Sequence, residues 1–352
     1  EISACLVGSE MCIRDRKYSG IHFSDSTKVP LSGSFKSGEI KMKRSDWQKI
    51  LIEKGYFARS IPTEYGGFGG ESDIIKTRII AEEFAKAKIP PPMGGQGIDM
   101  LVPTLLELGT EEQKQKYVKS TLLGEIIWCQ GYSEPNAGSD LANLQTKGEL
   151  INGNWVINGQ KIWTSTAQYS QMMFCLVRTE PDASKHAGIS YLLIPMDTPG
   201  IEIRPLVDMT LNAGFNEVFF TDVTIPENNI VGKRGEGWAV ANATLSHERG
   251  SLSDPNAMMN RLKSLIERMK KETINGELAI NNPVYRDKLM KIQGKVIAFQ
   301  SNSLRVLSAK LNKNQDVKIA GMIQKLVGTE LRHELEGFAI DIMGELGTLY
   351  EN

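Results

Sequence analysis

The sequence predicts an α+β multidomain protein, with an N-terminal helical domain, a middle antiparallel β-barrel domain and a C-terminal helical bundle. Chain length and two changes of hydrophobic period predict it. At 352 residues the chain exceeds what one core comfortably holds, so two or three domains are expected. Apolar residues recur at helical spacing to about residue 123, alternate from 126 to 231, and return to helical spacing after Trp238. The expected domains are therefore 17–124, 125–236 and 237–352, the last incomplete. Residues 1–16 share no pattern with the rest of the chain and resemble a translated sequencing adaptor, so they are set aside as a non-native leader.

In the first domain Ile50, Leu51 and Ile52 precede a turn at Tyr65-Gly66-Gly67. Ile79, Ile80 and Phe84 make a second helical stripe, and Leu101, Leu105 and Leu106 a third. Thr110-Glu111-Glu112-Gln113 is a helix start, with Thr110 as N-cap and Gln113 closing the capping box. In the middle segment Trp155-Val156-Ile157 and Gln160-Lys161-Ile162-Trp163 flank Asn158-Gly159. Both residues of that pair tolerate positive φ, which predicts a hairpin turn there. Apolar runs at 189–194, 201–206 and 218–223, spaced by turn residues, extend a small antiparallel barrel. In the last segment Leu289, Ile292, Val296 and Phe299 fall three or four apart, as do Leu331, Leu335, Phe338 and Ile342. Each set makes one buried stripe of a bundle.

Charge narrows the partners. With 41 Lys and Arg against 42 Asp and Glu, there is no electrostatic footprint for nucleic acid or an anionic membrane, which leaves small molecules or proteins. Cys5, Cys12, Cys129 and Cys175 lack metal-ligand spacing and are too few for a disulfide framework, so a reducing cytoplasm is expected. No apolar run reaches the length of a bilayer span.

Two phrases carry the chemistry. Tyr132-Ser133-Glu134-Pro135-Asn136-Ala137-Gly138-Ser139-Asp140 packs small residues and hydroxyls into a turn where backbone N–H groups can face an anion. Gly159-Gln160-Lys161-Ile162-Trp163-Thr164-Ser165 ends a strand with an indole beside two hydroxyls. Together they suit a flat cofactor with a phosphate tail. Alone, the first phrase is also an ordinary polar loop, and a strand tryptophan is also ordinary half-buried packing. The position of the first phrase after Ile126-Ile127-Trp128, and its spacing from the second, favour the cofactor reading. Trp128, Trp155 and Trp238 are assigned to the core, as are Met258, Met259 and Met269.

These two phrases, in this order, resemble the flavin-binding core of the acyl-CoA dehydrogenases, and the resemblance runs from about Trp47 to the chain end. It implies FAD held in a middle β-domain between two helical ones. It places residues 130–139, from Gln130 and Tyr132 onward, along the flavin, with Ser133 at the pyrimidine edge of the ring. Gly138 and Ser139 approach the pyrophosphate or the acyl-CoA. Trp163 then lies against the isoalloxazine, next to Thr164, with Ser165 close to N5. Asn136 stands where the family most often has glycine, and the access of Asn to left-handed geometry is expected to preserve the turn.

The implied reaction is α,β-dehydrogenation of an acyl-CoA thioester. It needs a carboxylate base on one side of the Cα–Cβ bond and a hydride acceptor at flavin N5 on the other, and electrons pass on to electron-transfer flavoprotein. Composition does not choose the base among 42 acidic residues. In the isovaleryl and long-chain types the base precedes an arginine on the first helix of the C-terminal bundle. Ser246-His247-Glu248-Arg249-Gly250 occupies that position. Glu248 is therefore the expected base, with Ser139, Ser246 and Arg249 beside the substrate and His247 a neighbour. The plain alternative for Glu248 is a solvated or ion-paired helix carboxylate.

The chain also departs from the family pattern. The Arg-x-x-Phe-Gly phrase by which a neighbouring subunit grips the flavin in homotetramers is absent from residues 251–282, which resemble instead the large subunit of pimeloyl-CoA and steroid side-chain dehydrogenases. That implies a homo- or hetero-oligomer, with a second acyl-CoA dehydrogenase-like chain as partner. The family's opening helix, and the C-terminal Gly-Thr-x-Gln-Ile-Gln phrase beyond Tyr350, are not recognisable here, so a fragment is expected. An acyl-CoA oxidase on the same fold and a non-catalytic structural subunit are the competing readings.

Overall fold

The computed structural model describes residues 21–23, 40–87, 89–251, 255–312, 317–344 and 347; the leader assigned at 1–16 and most of the segment after Gly344 lie outside the described residues. The chain forms two compact units, one ending at Glu248 and the other beginning at Arg249.

The first unit opens with a short parallel pair, β1 (Ile21–Phe23) and β2 (Ile40–Met42). Helix α1 (Arg44–Glu53) buries Trp47 and Leu51 against Phe84 of α2 (Ile74–Ala87) and Ile89. A π-helical turn at Gln96–Leu101 runs into α3 (Val102–Leu108), and Leu101 of the turn and Leu105 of the helix are fully buried. Helix α4 (Glu111–Leu122) starts at the expected capping box. Gln113 N donates to Thr110 Oγ1 at 3.2 Å, and Thr110 N donates to Gln113 Oε1 at 3.1 Å. Gln113 Nε2 also reaches Ile230 O at 2.8 Å, so the cap ties this helix to the sheet.

Eight strands come next: β3 (Trp128–Gly131), β4 (Lys147–Ile151), β5 (Asn154–Lys161), β6 (Met172–Arg178), β7 (Ile189–Pro195), β8 (Ile201–Leu206), β9 (Phe215–Pro226) and β10 (Ile230–Val231). Their order is β10-β7-β6-β4-β5-β9-β8, with β3 beside β6. Two features differ from the antiparallel barrel expected from the sequence. Among the described strands the end members β10 and β8 do not pair, so the sheet does not close. The β3–β6 pairing is parallel, because the β4–β5 hairpin intervenes before the chain returns beside β3 in the same direction. Strands β6 and β7 are buried on both faces, which is why they read as unbroken apolar runs. Alternation divides them between two cores. Phe174, Leu176, Tyr191 and Leu193 pack toward the helices, and Met173, Cys175, Leu192 and Ile194 pack with Trp155, Ile157 and Phe220. Each such side chain contributes roughly 1.5–3 kcal/mol of apolar burial.

The hairpin turn is displaced from its expected place. Asn158-Gly159 lies inside β5, and the two-residue turn is Asn152-Gly153, with φ of 51° and 77°. Each Asn-Gly pair offers the same backbone freedom, so cross-strand partners decide between them. Asn158 Nδ2 donates to Asp222 Oδ1 at 3.0 Å and Asp222 N donates to Asn158 Oδ1 at 2.8 Å, which holds a β-bulge against β9. Gly159 has φ 149°, and a Cβ there would lie 2.7 Å from Thr146 Cα.

Helix α5 (Gly237–Ser251) begins in the first unit, where it lays Val240, Ala241 and Thr244 into the helix-side core. It starts at glycine because a Cβ on Gly237 would come within 2.6 Å of the Ser190 backbone.

The second unit contains α6 (Pro255–Met269), a hairpin of β11 (Thr273–Ile274) and β12 (Glu277–Leu278), α7 (Pro283–Leu311) and α8 (Val317–Met343). Asn275-Gly276 turns the hairpin with φ of 52° and 85°. Asn282 Oδ1 accepts Val284 N at 3.0 Å, and Pro283 follows it as the first residue of α7. The two predicted stripes meet in one core. Leu289, Ile292, Val296 and Phe299 pack with Leu331, Leu335, Phe338 and Ile342, and with Met258 and Met269. Truncating the fully buried Phe338 to alanine would cost about 3–5 kcal/mol.

Candidate functional site

The two phrases are brought edge to edge. Ile162 N donates to Ser133 O at 2.9 Å, so the residue that leads into Trp163 is hydrogen-bonded to the first phrase. Below that contact, Lys161 is fully buried and its Nζ donates to Glu134 Oε1 at 2.7 Å and to Tyr132 O at 3.2 Å. The other face of the Glu134 carboxylate is satisfied from the backbone, with Gln145 N donating to Oε2 at 2.6 Å and Thr146 N to Oε1 at 2.9 Å. Burial pushes the Glu134 carboxyl up, but the Lys161 ammonium and these donors outweigh it and hold it below the ordinary glutamate value. In the sequence Glu134 and Lys161 stand only as connecting residues of the two phrases. Neither could be singled out, because an acid and a lysine 27 positions apart carry no local signature.

The turn in the first phrase also differs from expectation. Glu134 and Ala137 exchange two backbone hydrogen bonds of 3.0 Å around Pro135-Asn136. Asn136 is not among the residues with positive φ, so the turn forms without left-handed geometry. Gly138 and Ser139 follow in the open, and Ser133 is half-buried.

Of the five tryptophans, Trp163 alone is exposed, at 60%. Trp128 and Trp155 are at 2% and 1%, with Nε1 donating to Thr121 Oγ1 and Glu227 O; these, with the half-buried Trp238, are core residues. Trp163 is also one of the few non-glycine residues at positive φ, 59°. Such a conformation in a bulky residue is held only by its surroundings, and it is characteristic of functional sites. Here the next residue, Thr164, is clamped by two 3.0 Å backbone bonds to Asn216, which leaves the indole outside the core and edge-on to Phe215. Thr164 itself is fully buried and its Oγ1 has no partner among the described residues. Ser165 is half-buried beside it.

Gln130 is half-buried at the end of β3, whereas the Tyr132 ring lies in the core, edge-on to Phe174 and Tyr191. Burial raises the Tyr132 and Tyr191 hydroxyls above the ordinary tyrosine value. The interior position of Tyr132 removes its side chain from an open face. The hydroxyls around it tie three elements together. Thr244 Oγ1 of α5 lies 3.3 Å from Tyr191 Oη of β7 and 3.0 Å from Thr104 Oγ1 of α3. One turn beyond Thr244, the same helix carries Glu248 and Arg249, whose side chains lie outside the described ones. Ser246 is exposed, with Oγ donating to Ala243 O, and His247 Nε2 lies 3.7 Å from Glu107 Oε2, beyond hydrogen-bonding distance.

Cys129 and Cys175 are fully buried free thiols, pushed up to about 12 and about 11 by burial, and are not nucleophiles at neutral pH. Among the described residues there is no cluster of metal-ligating side chains, and no helix is long and apolar enough to cross a membrane.

Comparison with known proteins matches the chain in three consecutive blocks. The acyl-CoA dehydrogenase N-terminal domain covers residues 29–125, the middle domain 129–223 and the C-terminal domain 235–352. Acyl-CoA dehydrogenase IpdE1 of Mycolicibacterium smegmatis is 37% identical over 336 residues, 92% of this chain and 82% of that protein. IpdE1 of Mycobacterium tuberculosis is 37% identical over 323 residues, 90% of this chain and 80% of its own. Among solved structures, the Tcur3481-Tcur3483 steroid ACAD superposes with a TM-score of 0.75 at 28% identity, covering 88% of this chain and 78% of its own. The ChsE4-ChsE5 complex from Mycobacterium tuberculosis gives 0.73 at 27%, covering 100% and 84%.

Proposed function

The chain belongs to the acyl-CoA dehydrogenase family, and from that premise we propose that it is an FAD-dependent enzyme that desaturates an acyl-CoA at Cα–Cβ, with Glu248 as base. One observation carries the cofactor reading: the exposed Trp163 indole stands beside a phrase whose Ser133 is hydrogen-bonded to Ile162. The residues present fit a flavin. A flat apolar face, two half-buried hydroxyls at Ser133 and Ser165, and the open Gly138-Ser139 backbone match its ring, its polar edge and its phosphates. The buried, unpartnered Thr164 Oγ1 adds a polar atom behind the indole. In this reading the expected closed barrel is not required; the face formed by the two phrases is sufficient.

When bound, the flavin would supply the hydride acceptor. The chain's own residues do the rest. Trp163 would lie against the ring and keep water from the hydride path. Ser133 and Ser165 donate hydrogen bonds where electron density rises during the reaction. Glu248 takes the proton from Cα onto a carboxylate oxygen as that C–H bond breaks. A glutamate in a desolvated site is basic enough for this step, since burial disfavours its charge. Arg249 orients the carboxylate, and Ser139 and Ser246 contact the acyl-CoA.

Two further parts of the proposal rest on family and relatives. Electron-transfer flavoprotein is the family's electron acceptor, and it is proposed here in place of oxygen. The solved relatives named as Tcur3481-Tcur3483 and ChsE4-ChsE5 are two-protein assemblies, which supports a second acyl-CoA dehydrogenase-like subunit for this chain. The name of the first supports a steroid-derived acyl group among the substrates to try.

The test is a dye-reduction screen of short, medium, branched, dicarboxylic and steroid acyl-CoA thioesters, with and without the second subunit, followed by Glu248→Gln. Turnover should vanish in the variant while flavin and ligand binding persist. Retained turnover would move the base elsewhere, and peroxide formed in air would turn the enzyme into an oxidase.

A further inference from the structure

We propose that Glu134 and Lys161 are a positioning pair, a buried charged bolt that fixes the Ser133 phrase against the Trp163 phrase so that both meet the flavin in register. The inference rests on the cofactor reading above. The pair sits directly beneath the two faces: Glu134 is next to Ser133, and Lys161 is two residues before Trp163. Its side chains are at 6% and 0% exposure, and the contact is 2.7 Å.

The geometry is specific to holding two segments together. Lys161 Nζ reaches back across the gap to Tyr132 O as well as to Glu134, so one ammonium grips backbone and side chain of the first phrase at once. The Ile162 N to Ser133 O bond of 2.9 Å lies between these grips and the indole. Glu134 in turn accepts from Gln145 N and Thr146 N, and Thr146 lies against Gly159, at the start of the second phrase. The carboxylate therefore joins three stretches of backbone, two of which carry Ser133 and Trp163.

A pair kept only for stability would be dispensable. Replacing both members of a buried ion pair removes both charges together and costs less than removing one member, which leaves an uncompensated charge. The double variant Glu134→Gln with Lys161→Met therefore separates positioning from stability.

Two readouts test it on the full chain, prepared with its second subunit where one is found. Amide hydrogen exchange of Ile162, measured without flavin, reads the bolt itself. Flavin titration, followed by quenching and by the visible spectrum of the bound ring, reads its consequence. In the double variant the protein should stay folded, with its melting temperature lowered by less than in Lys161→Met alone, Ile162 exchange should accelerate, and the flavin Kd should weaken about tenfold or more. An unchanged Ile162 protection or an unchanged flavin Kd in a folded double variant overturns the proposal. Wild-type chain that takes up no flavin overturns the cofactor reading instead, and the exchange arm distinguishes the two failures.

Discussion

The Trp163 indole meets the Phe215 ring edge-on, with centroids 6.0 Å apart and planes at 84°. Phe215 begins β9, and its neighbour Asn216 holds Thr164 through two backbone bonds, so the aromatic contact extends a pairing made by the backbone. Both rings are more than a third exposed, which keeps them outside the core. Phe215→Ala should therefore lower global stability by only about 0.5–1.5 kcal/mol, the worth of an aromatic pair. Flavin affinity should fall with it, because the indole loses its lateral support. Urea unfolding and flavin titration check the two effects, and a loss of several kcal/mol would place the pair in the core instead.

The hydroxyls of Thr104, Thr244 and Tyr191 join α3, α5 and β7 in a region with no access to water. Thr244→Val keeps the shape and removes the polar atom. Thr104 and Tyr191 then keep buried hydroxyls with fewer partners, at a cost of roughly 1–3 kcal/mol. Adding Thr104→Val should cost less than its single effect, with a coupling of about 0.5–3 kcal/mol. Since Glu248 lies one turn beyond Thr244, kcat should drop in Thr244→Val with a smaller change in KM. Strict additivity in a double-mutant cycle would mean the two hydroxyls do not communicate.

The elements legible in the sequence were those set by one local rule. The capping box at Thr110 needs only four residues, and the stripes from Leu289 to Phe299 and from Leu331 to Ile342 need only helical spacing. The hairpin at Asn152-Gly153 was not legible, because Asn158-Gly159 obeys the same local rule and only Asp222, 64 residues away, decides between them. The pairing of Glu134 with Lys161 was hidden for the same reason, as was the interior position of the Tyr132 ring. In each case the deciding partner is distant in sequence. The phrase that ends at Trp163 could be singled out from the sequence, but the exposure of the indole and its φ of 59° depend on tertiary structure.

The two Asn-Gly pairs make a paired prediction. Gly153 sits at a turn tip with φ 77° and nothing within 4 Å of a built Cβ, so Gly153→Ala meets only backbone strain, about 1 kcal/mol. Gly159→Ala meets strain and a collision with Thr146, whose backbone N also donates to Glu134. The second variant should be the less stable by urea denaturation, and its flavin affinity should suffer as well. Equal stability of the two would mean that the β5 bulge relaxes freely.

The charged pair also predicts how stability depends on acidity. The Glu134 carboxyl is held below its ordinary value in the folded protein, so its contribution is full above the ordinary glutamate range and is lost as pH falls through the folded value. Protonation then leaves the Lys161 ammonium buried without its counter-charge, which adds to the loss. The Glu134→Gln, Lys161→Met double variant has neither charge. Wild type should therefore lose stability relative to the double variant as pH is lowered from 7 to below the glutamate range. Lys161→Met alone, which strands a buried carboxylate, should be about 3–5 kcal/mol less stable than wild type near neutrality and should recover part of that deficit on acidification. Urea unfolding of all three proteins at matched ionic strength measures this, and a wild-type advantage that grows toward low pH would reverse the sign and refute the assignment of the pair.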